Sequence, residues 1–134
     1  MSDYTVVKRE DAFDAMAEYP GFGEMRFFTS AADAEQVAIS WRSMPPGTGG
    51  RGSYGHRHRT QEEIYLVTSG TLTFKVGDEE FEVGPHTAVR VAPDAFRSIH
   101  NDSDVDAELV ICSVRAENMD GETETTPDFW PEPD

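Results

Sequence analysis

Cysteine is nearly absent from this sequence. Cys112 is the only one among 134 residues, so no disulfide can form within the chain. No run of about 18 apolar residues is present, which excludes a membrane-spanning helix. The first residues carry neither an apolar stretch nor an arginine- and serine-rich amphipathic pattern, so no targeting segment is expected. Together these absences predict a cytoplasmic protein in a reducing environment.

Positive charge is also scarce. The sequence has 11 Lys+Arg against 26 Asp+Glu, and its formal net charge is −15. A surface this acidic repels the phosphates of nucleic acids and the headgroups of anionic lipids. We therefore expect neither nucleic acid nor a membrane as a partner.

Helical periodicity is confined to one short segment. Within residues 11–19, Ala12, Met16 and Tyr19 recur at helix spacing and Pro20 follows, which predicts a short N-terminal helix. Short strands separated by glycine- and proline-containing turns make up the rest. The predicted strands are 24–29, 36–44, 62–68, 71–76, 80–83, 87–92, 95–100 and 106–115. Many short strands without intervening helices predict an all-β sandwich or barrel.

The chain length is that of a single domain. We expect residues 1–34 to form an N-terminal extension with a helix and a strand, residues 35–116 to form the β domain, and residues 117–134 to form an acidic tail. A polar, acidic tail is typically solvated and partly disordered. Phe129 and Trp130 favour instead a tail that docks on the β domain or on a partner.

Two predicted strands have informative faces. In 36–44, Val37, Ile39 and Trp41 share one face. In 62–68 both faces are apolar, with Tyr65 on the face of Glu63 and residues 64 and 66 on the other. A strand buried on both faces needs a second covering layer. That layer is either the N-terminal segment or a second subunit, and a homodimer is the favoured interpretation.

Metal-ligand residue types converge between Gly50 and Gly70. His56 and His58 are two residues apart, so on a strand both side chains point to the same face. Glu63 can meet them on the next strand, although Glu62 competes for that role. Two imidazoles and a carboxylate can hold a divalent metal with positions left open. The alternative is that Arg57 and Arg59, between the histidines, mark a polar exposed edge strand.

The spacing Gly50-x5-His56-x-His58-x4-Glu63-x6-Gly70 resembles the first conserved motif of the cupins. Their second motif is matched in part by the segment 84–101, where Ser98 or Arg97 stands in place of the usual histidine, depending on the end from which residues are counted. The resemblance implies a cupin-type double-stranded β-helix (jelly-roll) barrel. It also implies His56, His58 and Glu63 as ligands of Mn, Fe, Ni or Zn.

The fourth ligand position is open in this sequence. His100 is interpreted either as a displaced fourth ligand or as a loop histidine beside Asn101. Arg97 either faces outward toward surface acids or faces inward, where it would hold an anionic ligand or replace the charge of a metal. Gln61 is a candidate for orienting a ligand or a bound water. His86, in a turn, is interpreted as structural.

No other catalytic pattern is present. Cys112 lies in an apolar strand, and the nucleophile, phosphate-binding and dinucleotide glycine motifs are missing. The leading prediction is a cupin that binds a divalent metal and a small polar ligand, and if the protein is an enzyme, the resemblance implies dioxygenase or isomerase chemistry. The alternative is a non-catalytic binding or sensing module with weak or no metal.

Overall fold

The computed structural model describes residues 3–132. Its elements in chain order are a 3-10 helix at Arg9–Asp11, then β1 (Phe13–Asp14), β2 (Glu24–Phe27), β3 (Val37–Met44), β4 (Ser53–His58), β5 (Glu63–Ser69), β6 (Leu72–Val76), β7 (Glu79–Val83), β8 (Thr87–Val91), β9 (Arg97–His100), β10 (Ala107–Val114) and β11 (Thr123–Trp130). Over this part of the chain, no helix has the length and hydrophobicity needed to cross a membrane.

The strands form two antiparallel sheets. Six strands pair in the order β1-β2-β3-β10-β5-β8, and five in the order β11-β4-β9-β6-β7. Alternate side chains from both sheets meet in one core, with Tyr65, Val67 and Leu109 from the first sheet and Leu72 and Phe74 from the second. The all-β prediction and the two-sheet jelly-roll arrangement are therefore confirmed.

The predicted helix over 11–19 is wrong. Arg9–Asp11 form one 3-10 turn, and β1 then pairs with β2. Oδ1 of Asp14 accepts hydrogen bonds from the backbone N–H groups of Met16 and Met25, each at 2.9 Å. These bonds hold the chain in a turn, since a short carboxylate side chain competes with the helical hydrogen bonds of its own backbone.

The acidic tail docks on the second sheet. β11 pairs with β4, with Thr123 opposite His58 and Thr125 opposite His56. Trp130 is 2% exposed, and its Nε1 donates to Oε1 of Glu80 at 3.1 Å. Of the two expectations for the tail, docking is confirmed over residues 123–130, while residues 133 and 134 lie outside the described part.

β5 has the predicted faces. Tyr65 and Val67 are buried, whereas Ile64 and Leu66 on the outer face are 43% and 38% exposed. The N-terminal strands do not cover this outer face, because β1 and β2 extend the sheet beyond β3. The expected homodimer, in which a second copy covers this face, stays a prediction.

Candidate metal centre

Two adjacent segments bring the three predicted ligands together. His56 and His58 point inward from β4, and Glu63 begins β5 after the turn at residues 59–62. Nε2 of His58 lies 3.4 Å from Oε1 of Glu63, and Nε2 of His56 lies 3.7 Å from the same oxygen. All three side chains offer a ligand atom within 4.8 Å of one another. The two imidazole rings meet edge to face, with centroids 5.2 Å apart.

This donor set fits a divalent metal. Metal–nitrogen and metal–oxygen bonds of about 2.0–2.2 Å place neighbouring ligand atoms at separations close to those seen here. Both ring nitrogens of His58 are buried and lack a hydrogen-bond partner among the described residues. Unpaired imidazole nitrogens beside an ionised carboxylate are suited to coordination, and two histidines with one carboxylate form a facial set with open positions.

Glu122 supports His58 from the tail. Its carboxylate is 1% exposed, and its Oε2 lies 3.4 Å from Nδ1 of His58. The carboxylate accepts hydrogen bonds from the backbone N–H groups of residues 59, 60 and 61. Burial alone would raise the pKa of Glu122, but these bonds and the Thr60 hydroxyl lower it to about 2. An ionised Glu122 is therefore placed to orient the His58 ring.

Arg97 is the fixed cation of the site. It is 1% exposed and donates to Oε1 of Glu63 from Nε at 3.2 Å and from Nη2 at 2.9 Å. Nη1 donates to the carbonyl oxygens of Ala92, Pro93 and Ala95. Of the two orientations considered for Arg97, the structure has the inward one, because β9 pairs with β4 so that Arg97 stands opposite His56 and points to the core side.

Glu63 is held ionised by its neighbours. Burial would raise its pKa, but the adjacent imidazoles of His56 and His58, together with hydrogen bonds from Tyr65 and Arg97, hold the pKa far below the usual range of a carboxyl group. The Tyr65 hydroxyl donates to Oε1 at 2.6 Å. The site therefore contains an anion at every physiological pH.

A family model described as a cupin domain matches residues 40–113, more than half of the chain and including all three candidate ligands. This chain belongs to the cupin family. Comparison with curated protein sequences found no match.

Several solved structures share the fold at low sequence identity. A cupin protein from Bacteroides fragilis is 22% identical with a TM-score of 0.68, covering 89% of this chain and 90% of that chain. A sugar phosphate isomerase of the cupin superfamily from Silicibacter pomeroyi is 19% identical with a TM-score of 0.69, covering 96% of each chain. A polyketide cyclase from Streptomyces resistomycificus is 17% identical with a TM-score of 0.67, covering 85% of this chain and 80% of that chain.

His100 does not join the three ligands of this cupin domain. Successive side chains of a strand alternate, so Arg97 points to the cluster while Ser98 and His100 point to the opposite side of β9. The His100 ring lies 6.1 Å from that of Trp130, and its Nε2 is 3.9 Å from Oδ1 of Asp102. The expectation that His100 supplies a fourth ligand is therefore corrected. Ser98 packs against Gly50 instead.

The remaining predicted residues have clear positions. Glu62 points outward and pairs with Arg90, which leaves Glu63 as the carboxylate of the cluster. Gln61 is buried, and its side-chain amide donates to the carbonyl oxygen of Val114 at 2.7 Å. His86 lies in a turn with a φ of 62°. The edge-strand alternative is wrong, because β4 lies between β11 and β9.

The cluster opens into a cavity of about 650 Å³. His56, His58 and Glu63 lie in its wall beside Ile39, Ser113 and Arg115.

Sequence reasoning missed Glu122, which looked like one more solvated acid of the tail. The sequence feature that could have pointed to Glu122 is the aromatic pair Phe129 and Trp130 later in the tail, which predicted that the tail docks on the β domain or on a partner.

Proposed function

We propose that this cupin domain binds a divalent metal ion, one of Mn, Fe, Ni or Zn, through His56, His58 and Glu63. The observation that carries the proposal is the convergence of three ligand atoms within 4.8 Å around a carboxylate kept ionised. Nε2 of His58 supports it, because this nitrogen is buried without a hydrogen bond among the described residues and faces the Glu63 carboxylate.

The residues around the ligands have separate tasks in this proposal. Glu122 orients His58 through Nδ1, and Arg97 and Tyr65 fix Oε1 of Glu63, the oxygen that faces both histidines. The cavity holds a small polar ligand next to the open side of the cluster. A bound metal would act there as a Lewis acid or as an oxygen-binding centre. The reactions we propose to test are therefore isomerisation and dioxygenation.

A second function is favoured by one observation. Oε1 of Glu63 already accepts hydrogen bonds from Arg97 and Tyr65, so its charge is compensated within the protein. In this alternative the domain is a non-catalytic binding or sensing module with weak or no metal. Metal content separates the two functions.

The test is elemental analysis after incubation with each of the four metals and desalting. We expect about one metal per chain in the wild type, and loss of that metal in His56→Ala and in Glu63→Ala. His86→Asn is the matched control, since it removes an exposed histidine while keeping a residue that tolerates positive φ. A wild type that retains none of the four metals would contradict the metal site and favour the binding module.

A further inference from the structure

Arg42 is an arginine on the inner face of the first sheet. It lies on β3 between Ser40 and Met44, which are 6% and 0% exposed. Because side chains alternate along the strand, Arg42 points to the same side as these two residues, opposite to Trp41. The inner face of a sheet is normally apolar, and a charged side chain is rarely found there unless it pairs with an opposite charge or a ligand.

Arg42 has no acidic partner in the described part of the chain. Its Nε is buried and has no hydrogen-bond acceptor. Burial lowers the pKa of Arg42 below its usual value. By contrast, five other arginines pair with carboxylates: Arg26, Arg51, Arg57, Arg90 and Arg97. A half-buried cation without a counter-charge is destabilising, and residues kept in this state are typical of ligand sites.

Arg42 lines a second cavity, of about 340 Å³. The polar part of its wall includes Arg42, Tyr54 and Tyr65, and Met16, Phe22 and Met25 contribute apolar surface. His56 and Glu63 line both this cavity and the larger one. A ligand that contacts Arg42 can therefore extend to the candidate metal centre.

Glu63 does not serve as the missing partner of Arg42. Its Oε1 is already held by Arg97 and by the Tyr65 hydroxyl. Tyr65 stays a neutral hydroxyl, because burial and then the nearby Glu63 charge raise its pKa. The positive charge of Arg42 thus remains available to an anion that enters the cavity.

We propose that Arg42 binds the carboxylate of a small anionic ligand, whose far end lies against His56 and Glu63. Contact of that far end with a metal rests on the proposed function, whereas recognition of the carboxylate by Arg42 does not. A planar guanidinium matches the two oxygens of a carboxylate in a bidentate pair. A carboxylate is favoured over a phosphate because, among the described residues, Arg42 is the only Lys or Arg in this cavity wall.

The test compares Arg42→Gln with Arg90→Gln. Both changes remove one positive charge, but Arg90 is exposed and pairs with Glu62 on the outer face. The probes are acetate, lactate and benzoate, and each is compared with the corresponding neutral amide. Inorganic phosphate is tested as a fourth anion. Affinity is measured by calorimetry in EDTA-treated and in zinc-loaded protein.

We expect carboxylates, but not their amides, to bind the wild type and Arg90→Gln. Affinity for Arg42→Gln should fall roughly tenfold to a hundredfold, the range of a charge-assisted hydrogen-bonded pair. Without ligand, Arg42→Gln should melt at a higher temperature than the wild type, because an unpaired, half-buried charge is removed. A structural arginine would give the opposite shift.

Three results would overturn the proposal: equal carboxylate affinity in the wild type and Arg42→Gln, binding of phosphate alone, or a lower melting temperature for unliganded Arg42→Gln. If the proposed metal binding is wrong, the result is distinguishable from these three, because no variant, nor the wild type, would then contain metal. Carboxylate binding to the EDTA-treated protein would then still be lost only in Arg42→Gln.

Discussion

Arg97 and Glu63 form a buried ion pair at the centre of the candidate site. Nη2 of Arg97 lies 2.9 Å from Oε1 of Glu63, and the two side chains are 1% and 14% exposed. Arg97 is one of the two residues, with Ser98, that the sequence aligns with the second-motif histidine of the cupins, and it is the one whose side chain reaches Glu63. It supplies a permanent positive charge beside a candidate metal ligand, so the site needs no metal to keep Glu63 ionised.

Arg97→Met should destabilise the EDTA-treated protein by about 3–5 kcal/mol. The substitution removes the positive charge that pairs with the Glu63 carboxylate and leaves that carboxylate buried without a charged partner. The free energy of unfolding is measured in urea. A cycle with Glu63→Gln is the control. In the double variant the loss should be well below the sum of the two single losses, and additive losses would show that the pair is not coupled.

The Arg97–Glu63 pair also sets a direction for acid stability. The folded-state pKa of Glu63 lies below its ordinary value, so its contribution is complete above that ordinary value and is lost only as pH falls through the folded-state pKa. In Arg97→Met the pKa of Glu63 rises, and the acid unfolding midpoint should move to higher pH.

Glu122→Gln tests the support that the tail gives to His58. We expect a loss of about 1–3 kcal/mol at pH 7, because the carboxylate accepts charge-assisted bonds from three backbone N–H groups. Urea unfolding at several pH values gives the measurement. Glu124→Gln on the same strand is the matched control, since Glu124 is 60% exposed and pairs with Arg57.

The pH dependence of this loss has a defined sign. The pKa of Glu122 falls from 4.5 to about 2 on folding, so its stabilisation is full above about pH 4.5 and disappears as pH falls toward 2. The wild type and Glu122→Gln should therefore converge in stability at low pH. A constant difference between pH 7 and pH 2 would contradict the assignment.

The outer face of β5 predicts a homodimer. Ile64 and Leu66 are exposed on a sheet face that the N-terminal strands leave uncovered. Light scattering at micromolar concentration should give twice the monomer mass for the wild type and the monomer mass for Ile64→Lys with Leu66→Lys. Val105→Lys, an exposed apolar position in the loop after β9, should leave the dimer intact. If light scattering gives the monomer mass for the wild type, the homodimer prediction is wrong.

Much of the site was predictable because it depends on local spacing. His56 and His58 must share a face of any regular strand, and Glu63 follows within one short turn. Arg97 was not predictable in the same way. The second motif is one residue short between Pro93 and Asn101, and a shift of one residue in register moves a strand side chain to the opposite face.

The helix prediction failed for a related reason. Ala12, Met16 and Tyr19 have helical spacing, but Asp14 binds the backbone of Met25 on the next strand, a contact that no local pattern reveals. Likewise, the alternation in β3 separates Arg42 from Trp41, yet pairing with the neighbouring strands decides which of the two faces the core.

By itself the sequence determined the all-β architecture and the triad of His56, His58 and Glu63, because strand alternation and turn spacing are short-range properties. Only the tertiary structure decided which charges surround that triad. Arg97 reaches it through strand pairing, Glu122 through docking of the tail, and Arg42 through the orientation of β3. These three positions depend on contacts between distant segments, and such contacts form only when the two sheets pack together.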